Sequence, residues 1–557
     1  MKSDSVSLIE EQIAAIDAID GVNVVLAGPG SGKTTVLVRR YLKMLTSGVP
    51  FNQMLNLTFT HGAALGMASR VGILDAKNVF RTFHSFALDM LKKERHHLPF
   101  PTCDTIIPVE MQNYKLLFKL ADLYPSIEWR ELENRITGWK CGCITPEQAM
   151  EQSLNQGEEY IYAMAYADYE KKCREEGWLD FASLMDEAVK MLEENEDVRN
   201  RYKRKYIAVD EAQDCDEIQF RLLQLLFDGN IFAVGDENQL IYEWRNARSG
   251  NLTNFARVFP GAKVLYLGTN HRSTGTLVQF LKEIIPVDNG LASHMRTNNE
   301  AGADFTITHY HGEDEEAEEV LKKIKDPLNT AIIARTNRQL FIYQRLLATR
   351  GIKYNFLGKK DYWEQSEVKK LLEYAAASRS RKPAAEALAD IIAEKNMLAF
   401  YGRLGAKNPM EASPVENLTG LVKIAAGKGT LPEFLEYARK ITHARKKQKA
   451  LTLSTVHQAK GLEWDYVYVI GARQGTMPHK NGEGAEEARI FFVACSRAAK
   501  ELHISFYDSI SQYLLNYEDK VQEHIDEQED NDSQSAEDGG ANQSHVGAAE
   551  VPPSQRR

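Results

Sequence analysis

Short apolar runs alternate with segments of helical periodicity along most of the chain. The runs Val24-Val25-Leu26, Tyr206-Ile-Ala-Val209 and Ile231-Phe-Ala-Val234 are uninterrupted by polar residues, as is typical of strands buried on both faces. The stretch from Tyr160 to Cys173 instead repeats its apolar positions at helical spacing. Hydrophobic strands that alternate with helices predict α/β domains built on doubly wound parallel sheets.

The bulk composition indicates several packed domains in a reducing compartment. At 557 residues the chain is too long for one core, and 43% of its residues are hydrophobic. Its six cysteines are scattered, no signal peptide opens it, and no apolar run reaches about eighteen residues. We therefore expect a cytoplasmic protein with free thiols and no membrane partner; a metal site at Cys141-Gly-Cys143 is the alternative, but the zinc-ribbon spacing is missing.

The net charge of −10 is concentrated at the C-terminus. Eleven acidic and three basic residues follow Tyr513, in a segment with almost no large apolar side chains. Such a segment cannot bury enough surface to fold, so residues 513–557 are predicted to be a disordered acidic tail. The remaining chain is close to neutral and has room for a basic groove, for which 201–205 and 439–449 are candidates, although either run could be a solvated helix face.

A glycine-rich loop follows the first apolar run. It comprises Ala27, Gly28, Pro29, Gly30, Ser31, Gly32, Lys33, Thr34 and Thr35. Glycines let backbone N–H groups converge on phosphate oxygens, Lys33 can reach the outer phosphates, and Thr34 offers a hydroxyl to Mg²⁺. The first position of the strict pattern is Ala27 rather than glycine, and a plain turn is the alternative interpretation. Strand, loop and following helix together favour a nucleotide site.

A pair of acids follows the second apolar run. Asp210 and Glu211 stand at the end of the predicted strand 206–209, and the carboxyl ends of parallel strands face the ligand crevice. Asp210 is predicted to hold Mg²⁺ opposite Thr34, and Glu211 to orient and deprotonate the attacking water. A capping acidic turn is the alternative, but the phosphate loop upstream argues against it.

The segment after the third apolar run combines phosphate and base chemistry. Gln239 is placed to sense the terminal phosphate, and Tyr242 and Trp244 offer flat rings for stacking unpaired bases, at roughly 1 to 3 kcal/mol each. Two aromatic residues at this spacing are more often core residues. Their position beside a nucleotide loop favours stacking.

These segments, in this order, resemble superfamily 1 helicases of the UvrD/Rep/PcrA group. The resemblance extends from about Leu8 to Tyr507. Further matching motifs are Leu57-Thr-Phe59-Thr60, Thr82-Phe-His84-Ser85-Phe, Gly177-Trp-Leu-Asp180-Phe181, Asn270-His271-Arg272-Ser273, Thr455-Val-His457-Gln-Ala-Lys460-Gly461-Leu462-Glu463, Glu486-Glu487-Ala-Arg489 and Val493-Ala-Cys-Ser-Arg497-Ala498. Ala212, Glu237-Asn238 and Trp464 depart from the family pattern without removing a charge that the chemistry needs.

The resemblance implies roles for individual residues. Gln12 would read adenine, His271 would stack on it in place of the usual tyrosine, and Glu463 would contact the ribose. Arg272 and Arg497 would be arginine fingers, because spread negative charge on a transferring phosphoryl group favours fixed cations. The implied catalytic set is Lys33, Asp210, Glu211, Gln239, Arg272 and Arg497, and the implied DNA contacts are Phe59, Thr60, His84, Tyr242, Trp244, Arg245 and His457.

The resemblance also implies an architecture of two RecA-like lobes with ATP between them. The first lobe is expected at 1–95 and 200–275, with a helical insertion at 96–199. The second is expected at 276–375 and 448–512, with a reduced insertion at 376–447.

The implied function is an ATP- and Mg²⁺-dependent motor. It would move 3'-to-5' on single-stranded DNA and unwind 3'-tailed duplexes, with a nuclease or repair protein left open as a further partner. Two alternatives remain: the motor subunit of a nuclease-containing repair or anti-phage complex, and a nucleic-acid-gated ATPase switch without processive unwinding.

Overall fold

The computed structural model describes residues 8–73, 76–98, 112–242, 250–358, 360–404, 413–443 and 450–524. Two parallel sheets and the helices around them account for most of these residues, which confirms the predicted α/β fold class. No helix in these ranges has the length and apolar character needed to cross a membrane.

The first sheet contains the three apolar runs of the sequence. Its strands are β1 (Val22–Ala27), β2 (Met54–Thr58), β3 (Phe80–Thr82), β4 (Arg204–Val209), β5 (Phe227–Gly235) and β6 (Lys263–Leu267). They are all parallel, in the order β3-β2-β4-β5-β1-β6. Because β4, β5 and β1 are neighbours, the segments that follow Val209, Gly235 and Ala27 leave the sheet at the same edge.

The second sheet follows a short two-stranded ladder along the chain. The ladder pairs β7 (Thr269–Asn270) with β8 (Arg296–Thr297). The sheet contains β9 (Thr306–Tyr310), β10 (Thr330–Ala334), β11 (Tyr354–Leu357), β12 (Leu451–Thr455), β13 (Trp464–Val469), β14 (Ala498–Tyr507) and β15 (Val521–Glu523). All seven strands are parallel, in the order β11-β12-β10-β13-β14-β9-β15.

Twenty-four α-helices accompany the strands in the described ranges. Those up to the end of the first sheet are α1 (Glu10–Asp17), α2 (Lys33–Thr46), α3 (His61–Val71), α4 (Ala76–Val79), α5 (Phe83–Lys93), α6 (Gln112–Leu123), α7 (Trp129–Cys141), α8 (Pro146–Gln152), α9 (Gly157–Glu176), α10 (Phe181–Glu194), α11 (Glu196–Tyr202), α12 (Glu217–Leu226) and α13 (Asn251–Val258). Those that follow are α14 (Gly275–Glu283), α15 (Leu291–His294), α16 (Glu313–Lys323), α17 (Asn337–Arg350), α18 (Ser366–Ala377), α19 (Ala384–Glu394), α20 (Met397–Leu404), α21 (Pro414–Ala425), α22 (Leu431–His443), α23 (Val456–Ala459) and α24 (Gly484–Cys495). Short 3₁₀ segments cover Phe51–Gln53, Arg95–His97, Ala212–Asp214, Glu237–Gln239, Pro327–Asn329, Tyr362–Glu364 and Gln512–Lys520.

The first insertion ends earlier than the predicted residue 199. Helices α6, α7, α8 and α9 share a hydrophobic cluster of their own, which ends at Cys173. Helix α10 instead packs its apolar residues Leu184, Ala188 and Leu192 into the core of the first sheet. Both stretches are helical, so periodicity alone could not show which core each one joins.

The second insertion begins earlier than the predicted residue 376. Helices α18, α19, α21 and α22 form one cluster that already includes Tyr362, Trp363 and Val368. The extra residues are amphipathic and look like a continuation of the second lobe, but their apolar side chains face the insertion.

The predicted tail also begins too early. Residues 512–520 form 3₁₀ turns, with Leu514 fully buried, and β15 pairs in parallel with β9. Leu514, Tyr513, Tyr517 and Val521 pack against the core of the second sheet. These contacts join the segment to the second lobe, although its average composition is acidic and polar. Residues 525–557 of the predicted tail lie outside the described residues.

Candidate nucleotide and DNA site

The phosphate loop connects β1 to the N-terminus of α2. Gly32 precedes the helix with φ of 83°, and the Ser31 hydroxyl donates to the Gly28 carbonyl at 2.7 Å. The first N–H groups of a helix have no intrahelical partner and carry a positive partial charge. The loop therefore presents backbone donors that could bind an anion next to Lys33.

Two loop glycines lie close to other segments that carry predicted site residues. A Cβ on Gly30 would stand 2.7 Å from Oδ1 of Asn270 and 2.8 Å from Cβ of Arg272, and one on Gly32 would stand 2.8 Å from Nε2 of Gln12. Both glycines have positive φ, so a side chain would be strained as well as obstructed. The loop is thus enclosed by α1 on one side and the segment 270–272 on the other.

Gln12 and His271 meet beside the loop. Nε2 of Gln12 donates to the Ser31 carbonyl at 3.1 Å and lies 3.2 Å from Nε2 of His271. The His271 ring is exposed, while Gln12 is buried. A hydrogen-bonding amide next to an exposed ring fits the edge and the face of a purine base.

The carboxylate pair occupies the neighbouring strand end. Glu211 adopts a left-handed conformation with φ of 52°, which is rare for residues other than glycine and concentrates at functional sites. Its N–H donates to Oδ1 of Asp210 at 3.1 Å, and its carboxylate accepts a hydrogen bond from Gln213 at 2.7 Å. Gln213 also accepts from the N–H of Asp236 at 3.0 Å, which ties the end of β4 to the end of β5.

The two carboxyl groups have opposite pKa shifts. Burial and the adjacent Glu211 charge raise the pKa of Asp210 to about 7, although Lys33 acts against them. Burial acts to raise the pKa of Glu211 too, but Lys33, Lys460, the hydrogen bond from Gln213 and Arg497 together outweigh it, and the net shift is downward. Glu211 is therefore the charged member of the pair, which is the form that a general base needs.

The surroundings of Asp210 fit a divalent cation. Its carboxylate is buried beside a second acid, and Lys33 alone does not offset these two effects on its pKa. A hydroxyl and a carboxylate oxygen are ligands that Mg²⁺ prefers. Thr34 and Asp210 are the side chains that would hold it.

Gln239 and Arg497 connect the two sheets directly. Gln239 donates to Asp236 at 2.8 Å and accepts from Nη2 of Arg497 at 3.2 Å. Arg497 is 1% exposed and also donates to the backbone carbonyls of Val493 and Leu462. Burial, reinforced by Arg272, lowers the pKa of Arg497 to about 9, while Glu211 acts in the opposite direction.

Arg272 is bonded to the second lobe. Its Nε donates to Glu463 at 2.6 Å and its Nη1 to the Ser496 carbonyl at 3.0 Å. The next residue, Ser273, donates to the Ala498 carbonyl at 2.7 Å. The predicted first-lobe segment 200–275 therefore ends in residues that are bonded to the second lobe. Glu463, predicted to contact ribose, pairs with the predicted finger arginine.

The residues predicted to contact DNA form two groups. The Tyr242 hydroxyl donates to the His457 carbonyl at 3.1 Å, and the two rings lie 6.1 Å apart. On the other side, Phe59 packs against Phe83 and His84 against Phe181. The Thr60 side chain caps α3 through the N–H of Ala63 at 3.2 Å. Trp244 and Arg245 lie outside the described residues.

Comparison with known proteins identifies the family. Residues 8–260 match the UvrD/REP helicase N-terminal domain, and residues 265–398 and 395–509 match the UvrD-like helicase C-terminal domain. The chain belongs to the UvrD/Rep helicase family. This confirms the family that the motifs predict.

Three relatives align with most of the length of this chain. The ATP-dependent DNA helicase PcrA of Bacillus subtilis is 26% identical, over 89% of this chain and 82% of its own length. The ATP-dependent DNA helicase Rep of Escherichia coli is 26% identical, over 90% and 91%. The ATP-dependent DNA helicase UvrD2 of Mycobacterium tuberculosis is 29% identical, over 90% and 78%.

Several contacts of this UvrD/Rep-family helicase were not predicted from sequence. Lys460 pairs with Asp214 at 2.6 Å, and its ammonium group lies 4.7 Å from the Tyr242 ring centroid. Asn270 accepts the N–H groups of both Arg272 and Ser273 at 2.7 Å. Lys460, Asn270, Arg272 and Ser273 stand inside recognised motifs, and Asp214 follows the acid pair by three residues. These positions are the only signal that the sequence offers for them.

Proposed function

We propose that this ATP-dependent DNA helicase moves 3'-to-5' along single-stranded DNA and unwinds 3'-tailed duplexes, driven by ATP hydrolysis between its two lobes. The observation that carries the proposal is the hydrogen bond between Gln239 of the first lobe and Arg497 of the second. It places a second-lobe cation against the edge that also presents the phosphate loop and Glu211. The direction of travel rests on the family resemblance.

In hydrolysis, Glu211 acts as the general base. Lys33 and Lys460 favour its charged form, and its strained backbone fixes the carboxylate at the strand end. Lys33, Arg272 and Arg497 offset the negative charge on the γ-phosphoryl group. Mg²⁺ held by Thr34 and Asp210 would supply further charge neutralisation when bound.

Arg272 reaches the phosphate by exchanging one anion for another. Its present partner, Glu463, has a side chain that is 62% exposed, so water can solvate this carboxylate when the pair opens. A γ-phosphate carries more charge than a carboxylate and lies beside the loop that Arg272 already contacts. Releasing Glu463 frees its carboxylate for a ribose hydroxyl, so one exchange serves both predicted roles.

The residues proposed to contact DNA are coupled to ATP hydrolysis through Tyr242. Gln239 and Tyr242 are three residues apart, and Tyr242 contacts both His457 and Lys460 of the second lobe. Stacking at Phe59, Tyr242 and Trp244 holds bases in turn, while Thr60, His84, Arg245 and His457 contact the strand. Closing and reopening of the lobes then slides one lobe along the strand in each cycle.

Strand displacement with tailed duplexes tests this function. We expect unwinding of a 3'-tailed duplex, no unwinding of a 5'-tailed one, and none of either by Glu211→Gln. That variant preserves the shape of the side chain and is the matched control. Unwinding of the 5'-tailed duplex alone would reverse the direction. If single-stranded DNA stimulates ATP hydrolysis but the protein neither unwinds duplexes nor displaces another protein bound to the strand, the result would instead support the nucleic-acid-gated ATPase switch.

A further inference from the structure

The second insertion is basic in an acidic protein. Residues 362–447 contain fifteen lysines and arginines and ten aspartates and glutamates, whereas the chain as a whole carries −10. None of the residues assigned to ATP binding, to catalysis or to the DNA contacts named above lies in this range. A concentrated positive charge apart from the motor site indicates an anionic partner of its own.

A groove of about 590 Å³ lies between α18 and the start of α20. Its lining includes Lys370, Tyr374, Lys395, Met397, Phe400 and Tyr401, and we refer to it as the Tyr374 groove. Phe400 is 60% exposed, more than any other phenylalanine in the described ranges. Its ring lies 5.0 Å from that of Tyr401 in an edge arrangement. The insertion therefore presents an aromatic ring that its own core does not use.

Two lysines flank the tyrosine at the centre of the groove. Nζ of Lys370 lies 5.0 Å and Nζ of Lys395 5.7 Å from the Tyr374 ring centroid. Each lysine also pairs with an exposed glutamate, Glu373 at 3.1 Å and Glu394 at 2.9 Å. Exposed pairs of this kind contribute little free energy, so a phosphate group can replace the carboxylates.

We propose that the Tyr374 groove is a second binding site for single-stranded DNA, in which bases stack on Phe400 and Tyr374 while Lys370 and Lys395 contact phosphates. Exposed aromatic faces beside lysines are the combination that binds unpaired strands without sequence preference. A duplex hides its base faces in the stack and cannot use the rings. The proposal rests on the proposed function in one respect only, namely that DNA is the partner of this protein.

Binding of oligothymidylates to the full chain tests the groove. With a long oligonucleotide, which can reach both sites, we expect Phe400→Ala to weaken binding about 5- to 150-fold. Lys370→Ala and Lys395→Ala should each reduce the salt dependence of binding, by a slope of about 0.7. The matched control is Leu398→Ala, which removes an exposed apolar side chain from the same helix without touching the groove lining. It should bind like the parent chain.

Photo-crosslinking of a 5-iodouracil oligonucleotide locates the contact. We expect a crosslinked peptide that contains Phe400 or Tyr401, and its loss in Phe400→Ala. Affinity changes below about twofold for every oligonucleotide, with no crosslink between 370 and 401, would overturn the proposal. A loss of affinity in the groove variants that is confined to duplex DNA would also overturn it. If Phe400→Ala lowers the melting temperature, Lys370→Glu with Lys395→Glu provides the same test. Failure of unwinding alone, with the crosslink kept, would count against the motor and not against the groove.

Discussion

The contact between Gln239 and Arg497 allows a decisive test of how the lobes communicate. Gln239 donates to Asp236 within the first lobe and accepts from Arg497 of the second, so its side chain keeps one N–H and one carbonyl lone pair for a further partner. If Gln239 acts through Arg497, removing it should matter only while the arginine is present. If it senses the γ-phosphate directly, as the sequence predicts, its loss should matter in either background.

The expected magnitudes separate these alternatives. Loss of an arginine finger typically lowers the rate by about 10³ to 10⁵, and we expect this for Arg497→Ala. A hydrogen bond to a charged group is worth about 1.5 to 3 kcal/mol, so Gln239→Ala should lower turnover about 10- to 150-fold. Because the two side chains share one bond, the double variant should be no more than a few-fold slower than Arg497→Ala alone.

The assay is DNA-stimulated ATP turnover of the four proteins of this cycle, with the turnover number and the KM for ATP measured separately. A second cycle that pairs Gln239→Ala with Lys382→Ala, which removes an exposed lysine of the second insertion, is the control and should be additive within about 0.5 kcal/mol. Additive losses in the Gln239 and Arg497 cycle would refute the shared-bond reasoning and favour direct sensing of the phosphate.

Four further outcomes follow from the structure. Lys33→Ala should abolish turnover, whereas Glu211→Gln should still bind ATP in a filter assay and hydrolyse it very slowly; a normal rate for Glu211→Gln would remove it as the base. Arg272→Ala should lower turnover about 10³- to 10⁵-fold, while Glu463→Gln should mainly raise the KM for ATP; less than fivefold slowing in Arg272→Ala would contradict its role. Truncation after His524 should preserve melting temperature and basal turnover and tighten DNA binding at low salt, but truncation after Tyr513 should lower the melting temperature because it removes Leu514 and β15. Burial raises the pKa of Glu316 to about 7, so the folded state holds this proton more tightly than the unfolded chain does. The stability of the protein should therefore fall as pH rises from about 4.5 to 7. We expect Glu316→Gln to melt at a higher temperature than the parent at pH 8 and at a similar temperature at pH 4.5; equal melting temperatures at both pH values would contradict the shift.

The segments of the candidate nucleotide site could be placed at one sheet edge from sequence because each of them is continuous along the chain. The loop 27–35 and the pair Asp210 and Glu211 each follow an apolar run, and parallel strands bring such segments to one edge. The spacing along the chain, 175 residues or more between these segments, did not matter once both runs were recognised as strands. Local pattern and sheet topology agree here, so local reasoning was sufficient.

The contacts between segments were not predictable in the same way. Lys460 pairs with Asp214, 246 residues earlier, and Arg272 pairs with Glu463, 191 residues later. The chain offers 68 lysines and arginines and 78 aspartates and glutamates, and nothing in their order says which will meet. These pairs depend on how the lobes dock. The boundaries at α10, α18 and β15 depend similarly on which core an amphipathic segment joins.

Under the proposed function, one network of contacts around Lys460 would connect the ATP site with the DNA contacts. Lys460 holds Asp214 and lies over the Tyr242 ring, and the same lysine favours the charged form of Glu211. In the proposed mechanism, a nucleobase that stacks on Tyr242 would compete for the ring face that the ammonium group occupies. Lys460 is also one of the groups that lower the pKa of Glu211, the proposed general base, so its displacement would act to raise that pKa. The proposed DNA contact and the proposed chemistry at the phosphate therefore share a residue, and each would affect the other.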